Sequence, residues 1–210
     1  MLSLLALVSC SAPDDGNNFV IEGQLVVDRP IKDSTQLFLV PMYGPHPRPV
    51  DSVYLDPTGK FRFEGNVEQM ATLRLGWRQR YGVEELLVCT EPGTTHVTLG
   101  AESRAEGTPQ NDSLQQWKEH IAHMRQQCQS FRAIFNMTHD TAQFKADVDQ
   151  ARAELGDYTY RMLTGMGRQK SSMFINSHFV GSLDSLRRAE LNTLLCDTTD
   201  YTKPQPGFRR

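Results

Sequence analysis

Several signatures that would identify an enzyme are missing from the 210-residue sequence. It contains no Cys-x-x-Cys, no Gly-x-Ser-x-Gly and no glycine-rich loop followed by Lys-Ser or Lys-Thr. These absences argue against dithiol redox chemistry, against a serine hydrolase of that type and against a P-loop nucleotide site. The sequence therefore predicts a protein that is not an enzyme and that needs no cofactor.

Long apolar runs and clusters of one charge are also missing. The net charge is −3, and acidic and basic residues alternate without a basic stripe, which makes nucleic acid an unfavourable partner. The longest N-terminal apolar run, Leu2 to Val8, is far shorter than the roughly twenty residues of a membrane span. Apolar content of 39% and charged content of 22% are typical of a globular protein.

The N-terminus resembles the lipobox of bacterial lipoproteins. Leu7-Val8-Ser9-Cys10 ends the apolar run, and the acidic stretch 11–18 follows it. No Lys or Arg precedes the run, so we expect that translation starts upstream of Met1. The resemblance implies that Cys10 is acylated and anchors the protein to a membrane of the cell envelope, facing the periplasm or displayed on the surface.

Three cysteines remain after Cys10, which is an odd number. Cys89 ends an apolar run and is predicted to be a small buried hydrophobic residue. The envelope is oxidising, so a disulfide between Cys128 and Cys196 is an alternative to three free thiols.

The first half of the chain has the pattern of β-strands. Between residue 19 and about residue 100, seven short segments either alternate apolar and polar residues or form short apolar runs. Two turn sequences, Asp56-Pro57-Thr58-Gly59 and Glu91-Pro92-Gly93, separate neighbouring segments and predict two hairpins. Together these features predict an antiparallel β-sandwich.

The second half has the period of α-helices. Apolar residues spaced by three and four run from Leu114 to Phe135 and again from Phe144 to Met162, which predicts an antiparallel helical hairpin. Asn111-Asp112-Ser113 is the predicted cap of the first helix. Two shorter helices are predicted over 172–180 and 183–195.

The predicted fold class is therefore α+β. Residues 1–18 form a lipoprotein signal and acidic tether, 19–108 a β-sandwich of about seven strands, 109–200 a region of about four helices, and 201–210 a C-terminal tail.

Few residues have the composition of a binding site. Trp77, Arg78 and Tyr81 form the cluster best suited to recognition, because aromatic residues and arginine are favoured at binding hot spots. The alternative is that Trp77 is only the last core position of its strand. His120 and His123 share a helical face, but nothing supplies further ligands, so no metal site is predicted.

Several segments also occur, in order, in a known domain family. They are the stretches that begin at Phe19, Asp51, Glu91 and Gly107. They resemble the uncharacterised β-rich domain that precedes a thioredoxin-like domain in many Gram-negative envelope lipoproteins, and the helices resemble the connector between those domains. No thioredoxin motif follows in this sequence, so the resemblance carries over no catalytic residue.

Three hypotheses about function follow. The first is a non-catalytic, membrane-anchored envelope lipoprotein that binds or scaffolds other envelope proteins. The second is a partner or specificity subunit of a thioredoxin-like thiol-disulfide oxidoreductase. The third is capture of surface glycans or peptides through Trp77 and Tyr81.

Overall fold

The computed structural model describes residues 18–32, 34–42, 51–76 and 85–195. Eight strands come first in the chain, and they are β1 (Phe19–Leu25), β2 (Gln36–Pro41), β3 (Asp51–Tyr54), β4 (Lys60–Gly65), β5 (Gln69–Leu75), β6 (Leu86–Thr90), β7 (Gly93–Leu99) and β8 (Arg104–Glu106). They form two four-stranded sheets, with the orders β4-β1-β7-β8 and β3-β2-β5-β6. The predicted class, an N-terminal β-rich region followed by helices, is confirmed.

The two sheets enclose one apolar core. Ile21 and Phe63 from the first sheet and Leu37 and Leu73 from the second are at most 1% exposed and belong to the same cluster. In β4 the exposed residues Lys60, Arg62 and Glu64 alternate with buried phenylalanines. The period of two turns one face of this strand toward the core, whereas β5 is buried at five of its seven positions.

The sheets differ from the prediction in two respects. β8 is a strand of only three residues, too short to show alternation, and it was not predicted. β1 also pairs in parallel with β7, from Phe19 opposite Gly93 to Leu25 opposite Leu99, so the sandwich is not wholly antiparallel. Alternation indicates which face of a strand is buried, but it contains no information about the direction of the neighbouring strand.

The predicted hairpins are wrong, although the turn at Asp56 to Gly59 forms. Asp56 N–H donates to Lys60 O at 3.5 Å and Gly59 N–H donates to Asp56 O at 2.9 Å, with Gly59 at a φ of 81°. Beyond this turn β3 enters one sheet and β4 the other, and β6 and β7 are separated in the same way. A turn sequence sets the local reversal of the chain, but it does not determine which sheet each flanking strand joins.

Four helices follow the strands: α1 (Pro109–Thr138), α2 (Thr141–Met166), α3 (Lys170–His178) and α4 (Ser185–Leu195). A 3-10 turn spans Val180–Ser182. The helical hairpin is confirmed, and α2 ends before Gly167, which has a φ of 64°. The predicted cap of α1 is wrong, because the helix begins at Pro109 and residue 111 is already inside its first turn.

The helices pack on the sandwich through a second apolar cluster. Met70 and Cys89 from the sheet contact Leu114 and Trp117 of α1 and Phe174 of α3. None of the described helices is long and apolar enough to cross a membrane. The base of the helical region thus packs on strands of both sheets, on β5 and β6 of one and on β8 of the other, and several buried polar residues lie at this joint.

Candidate functional site

Seven buried polar residues meet where α1 begins beside β6 and β7. We call them the polar joint, and they are Cys89, Glu91, Thr95, Thr108, Gln110, Asn111 and Ser171. A cluster that contains a thiol, a carboxylate and several amides has the composition of an active site. Its hydrogen bonds decide whether these groups are available for chemistry.

Asn111 lies at the centre of the polar joint. Its Oδ1 accepts a hydrogen bond from the Cys89 backbone N–H at 2.9 Å, and its Nδ2 donates to Cys89 O at 2.8 Å. The same Nδ2 lies 2.9 Å from Thr108 Oγ1 and 3.1 Å from Thr95 Oγ1. The carboxamide therefore pairs with the outer edge of β6 as a neighbouring strand would.

Glu91 closes the N-terminus of α1. Its Oε1 accepts from the backbone N–H groups of Gln110 and Asn111 at 2.8 and 3.0 Å. The first amides of a helix have no partner within the helix, and a carboxylate there also interacts favourably with the helix dipole. Thr108 occupies the N-cap position but its side chain makes no capping bond, so Glu91 performs that role from a distant part of the sequence.

Gln110 joins four parts of the chain. Its Oε1 accepts from both the backbone N–H and the hydroxyl of Ser171 at 3.1 Å, and Cys89 Sγ lies 3.5 Å away. Its Nε2 donates to Glu68 Oε1 at 2.6 Å. One side chain thus links α1, α3, β6 and the connection between β4 and β5.

The thiol of Cys89 is unsuited to nucleophilic chemistry. Burial raises the pKa of Cys89 far above its ordinary value, and the nearby carboxylates of Glu91 and Glu68 raise it further. Since the thiolate is the reactive form, the folded protein keeps this residue inert. Its predicted role as a small buried residue is confirmed.

A second side chain of α1 covers the same strand edge. Lys118 Nζ donates to Leu87 O at 3.3 Å, two residues before the pair made by Asn111. Partial burial removes water from its ammonium group and lowers the pKa of Lys118 to about 8. Unpaired strand edges invite association with other chains, and α1 satisfies this one with side chains.

Beyond the joint, α1 and α2 project as an arm. Residues 118–150, all within the described part of the chain, include no buried residue. Near the tip, Ile134 is 47% and Met137 76% exposed. His139, at a φ of 55°, ends α1. Asp140 caps α2 by accepting a hydrogen bond from Gln143 N–H at 3.0 Å. The arm is about 30 Å long at the helical rise of roughly 1.5 Å per residue.

The site residues predicted from the sequence lie elsewhere. Cys10, Trp77, Arg78 and Tyr81 fall outside the described residues. Arg74, which precedes that cluster, forms an ion pair with Glu85, with Nε 2.9 Å from Oε1. The recognition role of the cluster and the acylation of Cys10 stay predictions.

Local contacts account for His120 of α1. The His120 ring stacks on Tyr158 with ring centroids 3.5 Å apart, and its Nδ1 lies 2.9 Å from Gln116 O. In the described part of the chain no three potential ligands group to hold a metal ion. Ser177 Oγ, beside His178, donates to the carbonyl of Phe174 at 2.9 Å and so has a structural partner.

The described residues also enclose an open groove of about 830 Å³ at one end of the first sheet. Asn18, Glu64, Asn66 and Thr94 supply its polar lining, and Phe19, Val20 and Pro92 its apolar lining. Glu64 is already paired with Arg62. The groove brings together no acid–base or nucleophilic pair.

The polar joint was missed in the sequence because its contacts are non-local. Glu91 and Asn111 are separated by 20 residues, and Gln110 and Ser171 by 61. The only sequence signal was the run of polar residues 110–113 at the start of an amphipathic helix, which was interpreted as a local cap. No pattern along the chain indicates that a carboxylate from a turn performs that role.

Comparison with known proteins identifies the β-rich part. Residues 19–114 match a family described as a domain of unknown function, DUF4369. No curated protein and no solved structure matches the chain. The matched stretch includes all eight strands and the first turn of α1, so it contains the whole polar joint except Ser171. The expectation of an uncharacterised β-rich domain is confirmed over these residues.

Proposed function

We propose that this chain is a membrane-anchored lipoprotein of the bacterial cell envelope that acts as a non-catalytic binding or scaffold module. The anchor is Cys10, and the mature protein faces the periplasm or the cell surface. The partner is another envelope protein, contacted through the arm formed by α1 and α2.

The observation that carries this proposal is the exposure of the arm. Its apolar seam includes Ile121, Met124, Phe131 and Phe135, which stay only partly buried although α2 packs beside them and Ile121 borders the second apolar cluster. Isolated helices depend on tertiary packing for most of their stability. A partner that packed on the seam would supply the burial that the chain itself does not.

The polar joint supports a non-catalytic role. Its thiol has a raised pKa, its carboxylate is occupied by two backbone amides, and its carboxamides hold the arm to the sandwich. These interactions fix the direction in which the arm leaves the body, as a scaffold requires.

Shortening the arm tests the proposal. Removing residues 129–150 and joining Cys128 to Ala151 with a four-residue Gly/Asn turn deletes no buried residue. Chemical cross-linking in intact envelopes is expected to join the wild-type chain to a discrete envelope protein and to lose that product in the shortened chain. Thermal melting of the shortened chain checks that the sandwich is intact.

The identity of the cross-linked protein distinguishes the alternatives. A thioredoxin-like oxidoreductase would make the chain its partner subunit. An identical cross-linking pattern in the two chains would contradict the proposed role of the arm. Insulin reduction that depends on Cys89, Cys128 or Cys196 would contradict the non-catalytic role.

A further inference from the structure

One side of the arm contains four cations, and we propose that it binds an acidic amphipathic helix of a partner protein. We call this surface the basic flank, and its residues are Arg125, Arg132, Lys145 and Arg152. The inference rests on the proposed function, because it names the chemistry of the partner that the arm would contact.

The register of the two helices places these residues together. Ring centroids are 5.1 Å apart for Phe135 and Phe144 near the tip and 3.5 Å for His120 and Tyr158 near the base. Because α1 and α2 are antiparallel, this register brings Arg125 level with Arg152 and Arg132 level with Lys145, each within a turn.

The heptad positions put all four on the same side of the seam. In the heptad repeat a to g, the seam residues occupy positions a and d. Each cation directly follows a seam residue at position d, and therefore occupies position e; these seam residues are Met124, Phe131, Phe144 and Ala151. In an antiparallel pair the e positions of both helices border one side of the seam. Like charges therefore face each other across it, which disfavours the isolated arm.

Little within the chain neutralises these charges. Lys145 and Arg152 share a single carboxylate, Asp149, with nitrogen–oxygen distances of 2.9 and 3.7 Å. Arg125 and Arg132 form no ion pair with any residue that the structure describes. Four cations and one anion leave the flank strongly positive.

The opposite side of the seam is acidic. Asp147 and Glu154 each precede a seam residue and accept a hydrogen bond from an uncharged side chain, Gln143 at 2.7 Å and Gln150 at 3.0 Å. The charge of the arm is thus separated between its two sides rather than mixed. This separation favours one orientation of a charged partner.

The surroundings of the cations favour a helix over a lipid surface. The half-buried seam beside them offers apolar contacts that a third helix would bury, as in helix-in-groove recognition. Membrane-surface helices instead combine cations with large apolar residues that insert into the bilayer. Ile134 and Met137, the exposed apolar residues of the arm, occupy positions g and c, away from the basic flank.

A designed peptide tests the inference on the full chain carrying Cys10→Ser, which prevents acylation. The probe is a fluorescent helix three heptads long with Leu at a and d and Glu at e and g, and the matched peptide has Gln in place of Glu. We expect the Glu peptide to bind at low salt and to weaken as salt increases. The double variant Arg125→Glu/Arg132→Glu is expected to bind it at least about tenfold more weakly, because two charge-assisted contacts are lost and replaced by repulsion.

The control variant Lys32→Glu/Lys60→Glu makes the same change in net charge at exposed positions of the sandwich. It is expected to bind as the wild type does. Thermal melting separates binding from folding, because reversing Arg125 and Arg132 removes like-charge pairs and is expected to maintain or raise Tm.

Several outcomes would overturn the inference. In the peptide experiment they are equal binding of the Glu and Gln peptides, no binding of either peptide, and equal weakening of binding in both double variants. Two further outcomes are preferential binding of the chain to vesicles that contain anionic lipid and self-association of the chain that Arg125→Glu/Arg132→Glu abolishes. If the envelope partner is lost on shortening the arm but retained by Arg125→Glu/Arg132→Glu, this inference fails while the proposed function stands. If shortening the arm has no effect, the proposed function itself fails.

Discussion

Asn111 and Cys89 are paired as residues of neighbouring strands are, although Asn111 lies on a helix. The side-chain Oδ1 of Asn111 accepts from Cys89 N–H at 2.9 Å while its Nδ2 donates to Cys89 O at 2.8 Å. One carboxamide thus satisfies both backbone groups of a residue at the edge of β6. It also fixes the base of the arm, so the arm and the sandwich are expected to unfold together at this joint.

Replacing Asn111 tests that coupling. Asn111→Ala leaves the N–H and C=O of Cys89 buried without these partners, which is expected to lower the free energy of unfolding by about 3 kcal/mol. Chemical denaturation gives the measurement. Asn136→Ala, at an exposed position of the arm, is the control and is expected to change it by less than about 0.5 kcal/mol. Equal effects of the two substitutions would contradict the importance of the pair.

Cys89 is expected to resist alkylation. Burial raises its pKa, so the folded chain contains almost no thiolate at this position near pH 8. Iodoacetamide followed by peptide mass spectrometry should modify the half-buried Cys128 and leave Cys89 unmodified until denaturant is added. Rapid modification of Cys89 in the folded chain would show that the polar joint opens or that the thiol is activated.

Lys118 gives the stability a specific pH dependence. Its pKa is about 8 in the folded chain, against an ordinary value of 10.5. Between these values the unfolded chain binds more protons than the folded one, so stability attributable to Lys118 rises with pH over this interval, by about 1–2 kcal/mol.

Lys118→Met keeps the apolar stem and removes the titration. We measure the free energy of unfolding of both chains from pH 7 to pH 10.5. The wild type should become more stable relative to the variant as the pH rises. A constant difference across this range would contradict the lowered pKa.

The sequence predicted those features that depend on local periodicity. Seven of the eight described strands and the helical hairpin were predicted from the pattern of apolar residues. The prediction failed where distant residues decide the outcome. The turn at Asp56 forms, but β4 joins a different sheet from β3, which the turn sequence does not determine.

The polar joint is the clearest case of this limit. Asn111 has the residue type of a helix cap and lies near a helix start, so the local interpretation was reasonable. Its actual partners lie in β6, 22 residues earlier. The basic flank was missed for a similar reason, because Arg125 and Arg152 become neighbours only once the antiparallel register is known.

Two glycines of α2 provide a matched pair. A Cβ at Gly156 would lie 2.5 Å from Ser182 O, whereas nothing lies within 4 Å of one at Gly165. Gly156→Ala is expected to lower Tm, because backbone must move to admit the methyl group. Gly165→Ala should stabilise by about 0.5–1 kcal/mol, the usual gain in helix propensity. Stabilisation by both substitutions would contradict the close packing of the 3-10 turn on α2.

The anchor is the most directly measurable part of the account. After expression of the full chain in a Gram-negative host, the N-terminal peptide is isolated from the membrane fraction and its mass determined. We predict a peptide that begins at Cys10 and carries acyl chains, and a Cys10→Ser variant that leaves the membrane fraction. An unmodified Cys10, with residues 1–9 retained and the protein in the soluble fraction, would contradict the proposal that this module works on a lipid anchor.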